Sequence, residues 1–300
     1  MTKRYLGNII TQNPTPPAGN FQDSAAKGVW SLEEQLAYQK AGLWPIPGNA
    51  LDITDVFSTY LWSGTGATQT ITNGIDLAGE GGLVWAKSRN NAYKHSLYDT
   101  ERGTTKNLST NSTAAEVVET GVTSFNSSGF NIGSWAGINS SGDDVASWTF
   151  RKAPKFFDVV TFTGTASVQN ISHNLGSVPG MIIVKRLDSS SFNWQIYHRN
   201  SNATPEDYRL EFTTGAAQLN TGVWGGTAPT DTHFTVGVNG DSNGSGGSLV
   251  AYLFAHNDGD GGFGPDGSDI IKCGSYTGNA SNSAGPIIDL GFEPQWVMIK

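Results

Sequence analysis

The residues with the most chemical potential fall in one short stretch, "HNDGDGGFGPDG" (256–267). With its continuation it supplies four carboxylates, Asp258, Asp260, Asp266 and Asp269, on a glycine-rich backbone. Calcium takes roughly six to eight oxygens from a sharply turning loop, and an Asp-x-Asp-Gly start suits that need. Counted from Asp258, the twelfth position is Asp269, where calcium loops usually carry a bidentate Glu. The stretch therefore reads as an interdomain linker, with calcium on the four aspartates as the alternative and no other cofactor expected. It also holds Gly259-x-Gly261-x-x-Gly264, formally a dinucleotide fingerprint. That motif needs a helix N-terminus behind it, and the residues that follow have strand composition.

Other reactive types are not grouped. Five histidines (His95, His173, His198, His233, His256) show neither His-x-x-x-His nor Glu-x-x-His spacing. Asp143 and Asp144 are neighbours entering a strand, so they face opposite sides and make a poor glycosidase pair. Cys273 is the one cysteine, which excludes an internal disulfide; its setting "IIKCGSY" reads as a strand with a buried, inert thiol. Trp135, Trp224 and Tyr208 lie in polar or Gly-rich contexts where an aromatic face can stack on a sugar, against the ordinary alternative of core burial. No enzyme is expected from these residues.

The elements that must position them are short strands. Gly is the standout residue at 38 of 300, only 15% of residues are charged, and aromatics reach 11%. That profile belongs to a turn-rich all-β protein. The net charge of −8 argues against a nucleic-acid partner. No charged-then-apolar leader opens the sequence and no apolar run approaches about 18 residues, so synthesis in a cytoplasm without membrane insertion is expected.

A repeat organises the chain. "YLWSGTGATQTITNGIDLAGEGGLVWAKSR" (60–89), "VTFTGTASVQNISHNLGSVPGMIIVKRL" (160–187) and "GSYTGNASNSAGPIIDLGFEPQWVMIK" (274–300) share an aromatic, a Ser/Thr-Gly pair, a polar stretch, a turn and an apolar run ending in Lys. The intervals Gly64 to Lys87, Gly164 to Lys185 and Gly278 to Lys300 agree to within two residues. The first two copies continue in parallel through "HSLYD" and "WQIYH" to "VASWTF" and "LVAYLF". Each is a unit of about 100 residues of period-2 segments, the pattern of a β-sandwich or jelly roll. The expected organisation is an arm (1–50), sandwiches at 51–157 and 158–257, the Asp/Gly linker (258–269), and the start of a third repeat (270–300). In that third copy "PQWVMIK" takes the place of the strand "PGMIIVK" and is apolar on both faces. It is expected to be a strand, and the native polypeptide is expected to continue beyond it.

The arm lies outside the repeat. In "GVWSLEEQLAYQKAGLWP" (28–45), Ser31 and Glu34 make a capping box, and helix formers run to Lys40 before Gly42 and Pro45. Leu32 and Leu36 share a face, Leu43 would extend it, and Trp30 and Trp44 bracket the helix. These five residues are the expected docking element for a partner.

This arm resembles the N-terminal segment of many phage tail-fibre and other virion structural proteins. The units built on "SHNLGSVPGMIIVKR" and "IIDLGFEPQWVMIK" resemble a repeated domain of long virion proteins from marine phages, particularly those infecting cyanobacteria. The resemblance implies concanavalin-like jelly rolls, a location in the virion, other virion proteins as partners, a homotrimeric fibre and a role in host attachment. A lectin-like adhesin binding host surface glycan is the alternative, and a polysaccharide depolymerase a weaker one.

Overall fold

The computed structural model describes residues 30–40, 51–213, 215, 217–258, 263, 269–281 and 283–300. In the arm, Glu34 N donates to Ser31 Oγ (3.2 Å) and Ser31 N to Glu34 Oε2 (2.8 Å), starting the helix Leu32–Lys40. This reciprocal pairing is what the Ser-x-x-Glu spacing encodes.

Between Phe57 and Phe254 the strands are antiparallel. The first repeat contains β1 (Phe57–Ser63), β2 (Gln69–Thr72), β3 (Gly82–Ser88), β4 (Ser96–Asp99), β5 (Lys106–Asn107), β6 (Val117–Val118), β7 (Val122–Asn126), β8 (Gly129–Ile132) and β9 (Asp144–Arg151). The second contains β10 (Phe157–Thr163), β11 (Gln169–Ser172), β12 (Met181–Arg186), β13 (Gln195–His198), β14 (Tyr208–Arg209), β15 (Gln218–Leu219), β16 (His233–Val236) and β17 (Ser248–Phe254). The first forms a sheet in the order β1-β9-β3-β4, the second one in the order β10-β17-β12-β13. First strand, last strand, third and fourth thus occupy the same places in both. Opposite them lie β2-β8-β7 in one repeat and β11-β16 in the other, while β5-β6 and β14-β15 form small ribbons. The fold is an all-β tandem sandwich.

Each sandwich has its own core. Trp62, Ile71, Val84, Tyr98, Phe130 and Val145 meet in the first, and Ile171, Ile182, Val184, Tyr197, Trp224 and Phe234 in the second. Alternate residues of the same strands build a third and larger core between the repeats. Val84 of β3 points into its own sandwich while Leu83 and Trp85 point outwards; in β12, Ile182 and Val184 point inwards while Met181 and Ile183 point outwards. The outward sides of the two four-stranded sheets share this cluster. At its centre Phe150 stands 5.3 Å from Phe254 and 5.6 Å from Phe157, ring centre to ring centre. Full burial of each such side chain stabilises by about 1.5–3 kcal/mol. The "LVAYLF" run is apolar on both sides because both sides are covered.

The Ser/Thr-Gly signature also has a physical cause. A Cβ on Gly64 would strike the Ser140 carbonyl, and one on Gly164 the Gly244 carbonyl. Beside each glycine sits a fully buried asparagine. Asn139 Oδ1 accepts from Thr65 N (2.9 Å) and Gln69 Nε2 (2.6 Å), and its amide donates to the carbonyls of Ala67 and Gly133. Asn243 repeats this with Thr165 N (2.8 Å), Gln169 Nε2 (2.7 Å), Ser167 O and Gly237 O. Both latches tie the turn after the first strand to the loop before the last, with every amide group paired.

The third copy keeps the turn and not the strands. Ala280 has φ 55°, matching Ala166 (55°) and Gly66 (72°), and Ser281 N donates to Asn279 Oδ1 (3.1 Å) as Ser167 N does to Thr165 Oγ1 (3.3 Å). Among the described residues of 269–300 no strand forms, which corrects the strand expected at "PQWVMIK" and around Cys273. A turn of four residues is a local structure, whereas a strand needs neighbours to take up its backbone groups.

Replacing a latch leaves buried backbone groups unpaired, at about 1–3 kcal/mol each. Asn243→Ala should lower the unfolding free energy by about 3 kcal/mol, and Asn139→Ala by a similar amount, in urea titrations followed by tryptophan fluorescence.

Candidate functional site

The polar and aromatic groups that the fold gathers lie along the seam between the repeats. The loop after β4 carries Arg102, buried, with its Nε 2.6 Å from Asp99 Oδ2 and its Nη1 3.0 Å from Glu116. From the second repeat Tyr252 donates its hydroxyl to the same Asp99 oxygen (2.7 Å). Burial opposes the charge on Arg102, but the Asp99 and Glu116 carboxylates outweigh it and hold the guanidinium above its ordinary range. Burial also pushes the Tyr252 phenol well up, so it remains a donor. Trp194 Nε1 donates to the carbonyls of Ser109 and Ser112 (both 3.1 Å), and Glu116 N to Leu187 O (2.9 Å).

The lysine that ends the apolar run of the second repeat belongs to this seam. Lys185 is fully buried and donates to the carbonyls of Thr113 (3.1 Å), Arg186 (2.8 Å) and Phe192 (3.0 Å), the first across the seam. Burial draws its ammonium down to about 8. Lys87 likewise donates to the carbonyls of Ser88 and Asn91. In the first two copies the repeated Lys is a loop clamp.

Two clefts open on the seam, each of about 360 Å³. The polar one is lined by Arg102, Lys106, Glu116 and Asp188, with Glu116 bridging Arg102 and Lys106 (2.9 Å). The aromatic one is lined by Trp85, His95, Trp148 and residues 295–298. There Trp85 Nε1 donates to His95 Nδ1 (2.9 Å). Burial, aided by Lys87, lowers the His95 pKa, so the ring is neutral and its Nε2 carries the proton. Trp296 closes the cleft, 5.4 Å from Phe150, 6.1 Å from Trp85 and 6.3 Å from Phe254.

The residues singled out by sequence are dispersed relative to this seam. Asp258 lies 3.6 Å from Lys272 Nζ and 3.9 Å from His256 Nε2. Asp269 is described, and Asp260 and Asp266 lie outside the described residues. Among the described residues no group of three or more His, Cys, Asp and Glu is placed to hold a metal. The residues flanking the stretch are joined: Asn257 N donates to Ile271 O (2.8 Å), as Ala153 N donates to Phe157 O (2.9 Å) at the first junction. The Asp/Gly stretch is therefore an insertion in a repeated junction. In the arm, Leu32 is 81% and Leu36 48% exposed, while Trp30 packs edge-on against Tyr38 at 5.1 Å. Leu43 and Trp44 lie outside the described residues. Trp224 is a core residue whose Nε1 donates to Tyr208 O (3.0 Å), and Trp135 is half-buried against the first core. Cys273 is buried in an irregular segment, and burial pushes its thiol up to about 12.

Besides the Asp99–Arg102–Tyr252 group, sequence reasoning missed a second charged constellation and one motif. Glu211 and Asp241 share donors: Gln195 Nε2 reaches both (3.2 and 2.9 Å), and so does Arg209 Nη1 (3.1 and 3.4 Å). Burial, with Glu211 adding to it against the pull of Arg209, raises the Asp241 pKa. Arg209 and Glu211 are two residues apart, but Gln195 and Asp241 are distant from them in sequence and join them only in the fold. Gly240-Asp241-Ser242-Asn243-Gly244 does have nucleophile-elbow spacing. Its Ser242 is fully buried with Oγ donating to Val223 O (3.2 Å), at the place of the core residue Ile138. An elbow must expose its hydroxyl, so this is a structural serine.

Fold and seam together define a tandem β-sandwich protein whose repeats are joined through a common apolar core. A family model described as a domain of unknown function (DUF7483) matches residues 52–300, and the chain belongs to that family. The matched region begins at Asp52, which caps the helix Ile53–Val56, and takes in both sandwiches and the third copy. No curated protein and no solved structure matches the chain.

Two measurements follow from the seam. Tyr252→Phe removes one charge-assisted buried hydrogen bond and should cost about 1.5–3 kcal/mol of stability, read by urea titration. The Cys273 thiol should stay unreactive towards a chromogenic disulfide reagent at pH 8 in the native protein. In urea, where its pKa returns towards about 8.5, one thiol per chain should react.

Proposed function

We propose that this chain is a non-enzymatic structural protein of a virus particle, a section of a fibre-like appendage. In this reading the arm docks on the particle and the sandwiches form a stiff stalk displayed for host attachment. The observation that carries it is the common core between the repeats. Tandem sandwiches on a flexible linker would bend independently, whereas two sheets that share Phe150, Phe157 and Phe254 move as one body. A stalk that must hold a receptor-binding surface away from a particle needs that stiffness. The capped helix with Leu32 and Leu36 turned to solvent supports the anchor role, since exposed leucines on one helix face are the usual means of docking into an apolar groove. The viral assignment draws on the resemblance of the arm and of the repeat units.

Particles assembled with Leu32→Glu/Leu36→Glu protein decide the anchor role. Circular dichroism of the free variant should match the original, and the appendage should be missing from the particle by immunoblot and electron microscopy. Full occupancy of the variant would place docking on the sandwiches.

A further inference from the structure

The third copy meets the first two with the same alternation that joins them to each other. Counted back from the closing lysine, Trp296 stands where Leu83 and Met181 stand, and Met298 where Trp85 and Ile183 stand. Those four residues all belong to the common core. Trp296 joins them there, completing a triangle of rings with Phe150 and Phe254, and Met298 lines the aromatic cleft. The intervening residues correspond to the inward-facing Val84 and Ala86, Ile182 and Val184. Here they are Val297 and Ile299, 57% and 68% exposed. Among the described residues none pairs with the backbone of 296–299. The segment therefore offers an apolar face and an open hydrogen-bonding edge beside an established interface.

We propose that 295–300 is an acceptor for one added β-strand of the repeat's own last-strand pattern, contributed by a further repeat of this kind. The pairing in the two complete copies specifies that strand. Leu83 pairs with Phe150 and Met181 with Phe254; Trp85 pairs with Trp148 and Ile183 with Tyr252; Lys87 pairs with Ala146 and Lys185 with Val250. Carried to the third copy, this places a Phe opposite Trp296, an aromatic opposite Met298 and a small apolar residue opposite Lys300. The occupant thus reads small-x-aromatic-x-Phe and runs antiparallel. Its Phe and second aromatic enter the cleft beside Trp85 and Trp148, and its intervening residues continue the face begun by Val297 and Ile299. A second copy of this chain is a poorer occupant, because its own strands of this pattern, β9 and β17, are central and paired on both edges.

The test uses the full chain and a synthetic peptide bearing Ser248–Phe254 between lysines. The peptide should bind saturably, change tryptophan fluorescence and slow hydrogen exchange of the amides in 295–300. A scrambled peptide should not. Val297→Lys/Ile299→Lys protein, altered only at exposed positions, should keep its thermal unfolding profile and bind at least about tenfold more weakly. Absence of saturable binding, or binding that leaves the amides of 295–300 unprotected, overturns the proposal. So does dimerisation of the free chain in ultracentrifugation that the double substitution abolishes and the peptide does not displace, which would assign the face to a second copy.

Discussion

The contact between the outward faces of the two four-stranded sheets is the constraint on which the rest of the structure depends. A sandwich standing alone buries one side of each sheet and wets the other, so its strands alternate apolar and polar residues. Here β3, β12 and β17 must be apolar on both sides, and the runs 83–86, 181–184 and 249–254 follow that requirement. The polar groups at the seam are its rim. Tyr252 on Asp99, Trp194 on the loop carbonyls and Lys185 on Thr113 all cross between repeats, so sliding one sheet over the other would strip each of its partner. Removing one member of such a buried pair costs more than the pair contributes, which makes the rim a register device more than a source of stability.

Inside each repeat a second device is local. The glycine turn and its asparagine latch recur with the same partners in both sandwiches, closing the first strand on the loop before the last. The third copy shows the division between the two kinds of information. Its turn, with Ala280 at φ 55°, is encoded in four residues and forms without a latch. Its strands are encoded in pairing, and the described residues supply none. Trp296 nevertheless finds its place, because the common core accepts one more aromatic of the right parity.

Much of this was legible in the sequence, and the illegible part has a physical reason. The repeated strand pattern and the capped helix at Ser31 could be read because spacing and alternation are local properties of the chain. The role of the closing lysine could not, since Lys185 is clamped by carbonyls that belong partly to the other repeat. Residue type alone placed Trp224 among possible sugar platforms, whereas it is core. The Asp99–Arg102–Tyr252 and Glu211–Asp241–Arg209 groups were not legible because each joins a local ion pair to a member distant in the chain, Tyr252 in one and Asp241 in the other. The Asp/Gly stretch read as a linker on composition, yet the residues flanking it are joined by the same junction bond that joins the first two repeats.

If the common core makes the two sandwiches one body, they must unfold together. Differential scanning calorimetry of the full chain tests this directly. The account predicts a single transition over both repeats whose calorimetric enthalpy equals its van't Hoff enthalpy, and which Phe150→Ala shifts down as a whole. Two separate transitions, with only the first displaced by that substitution, would contradict it.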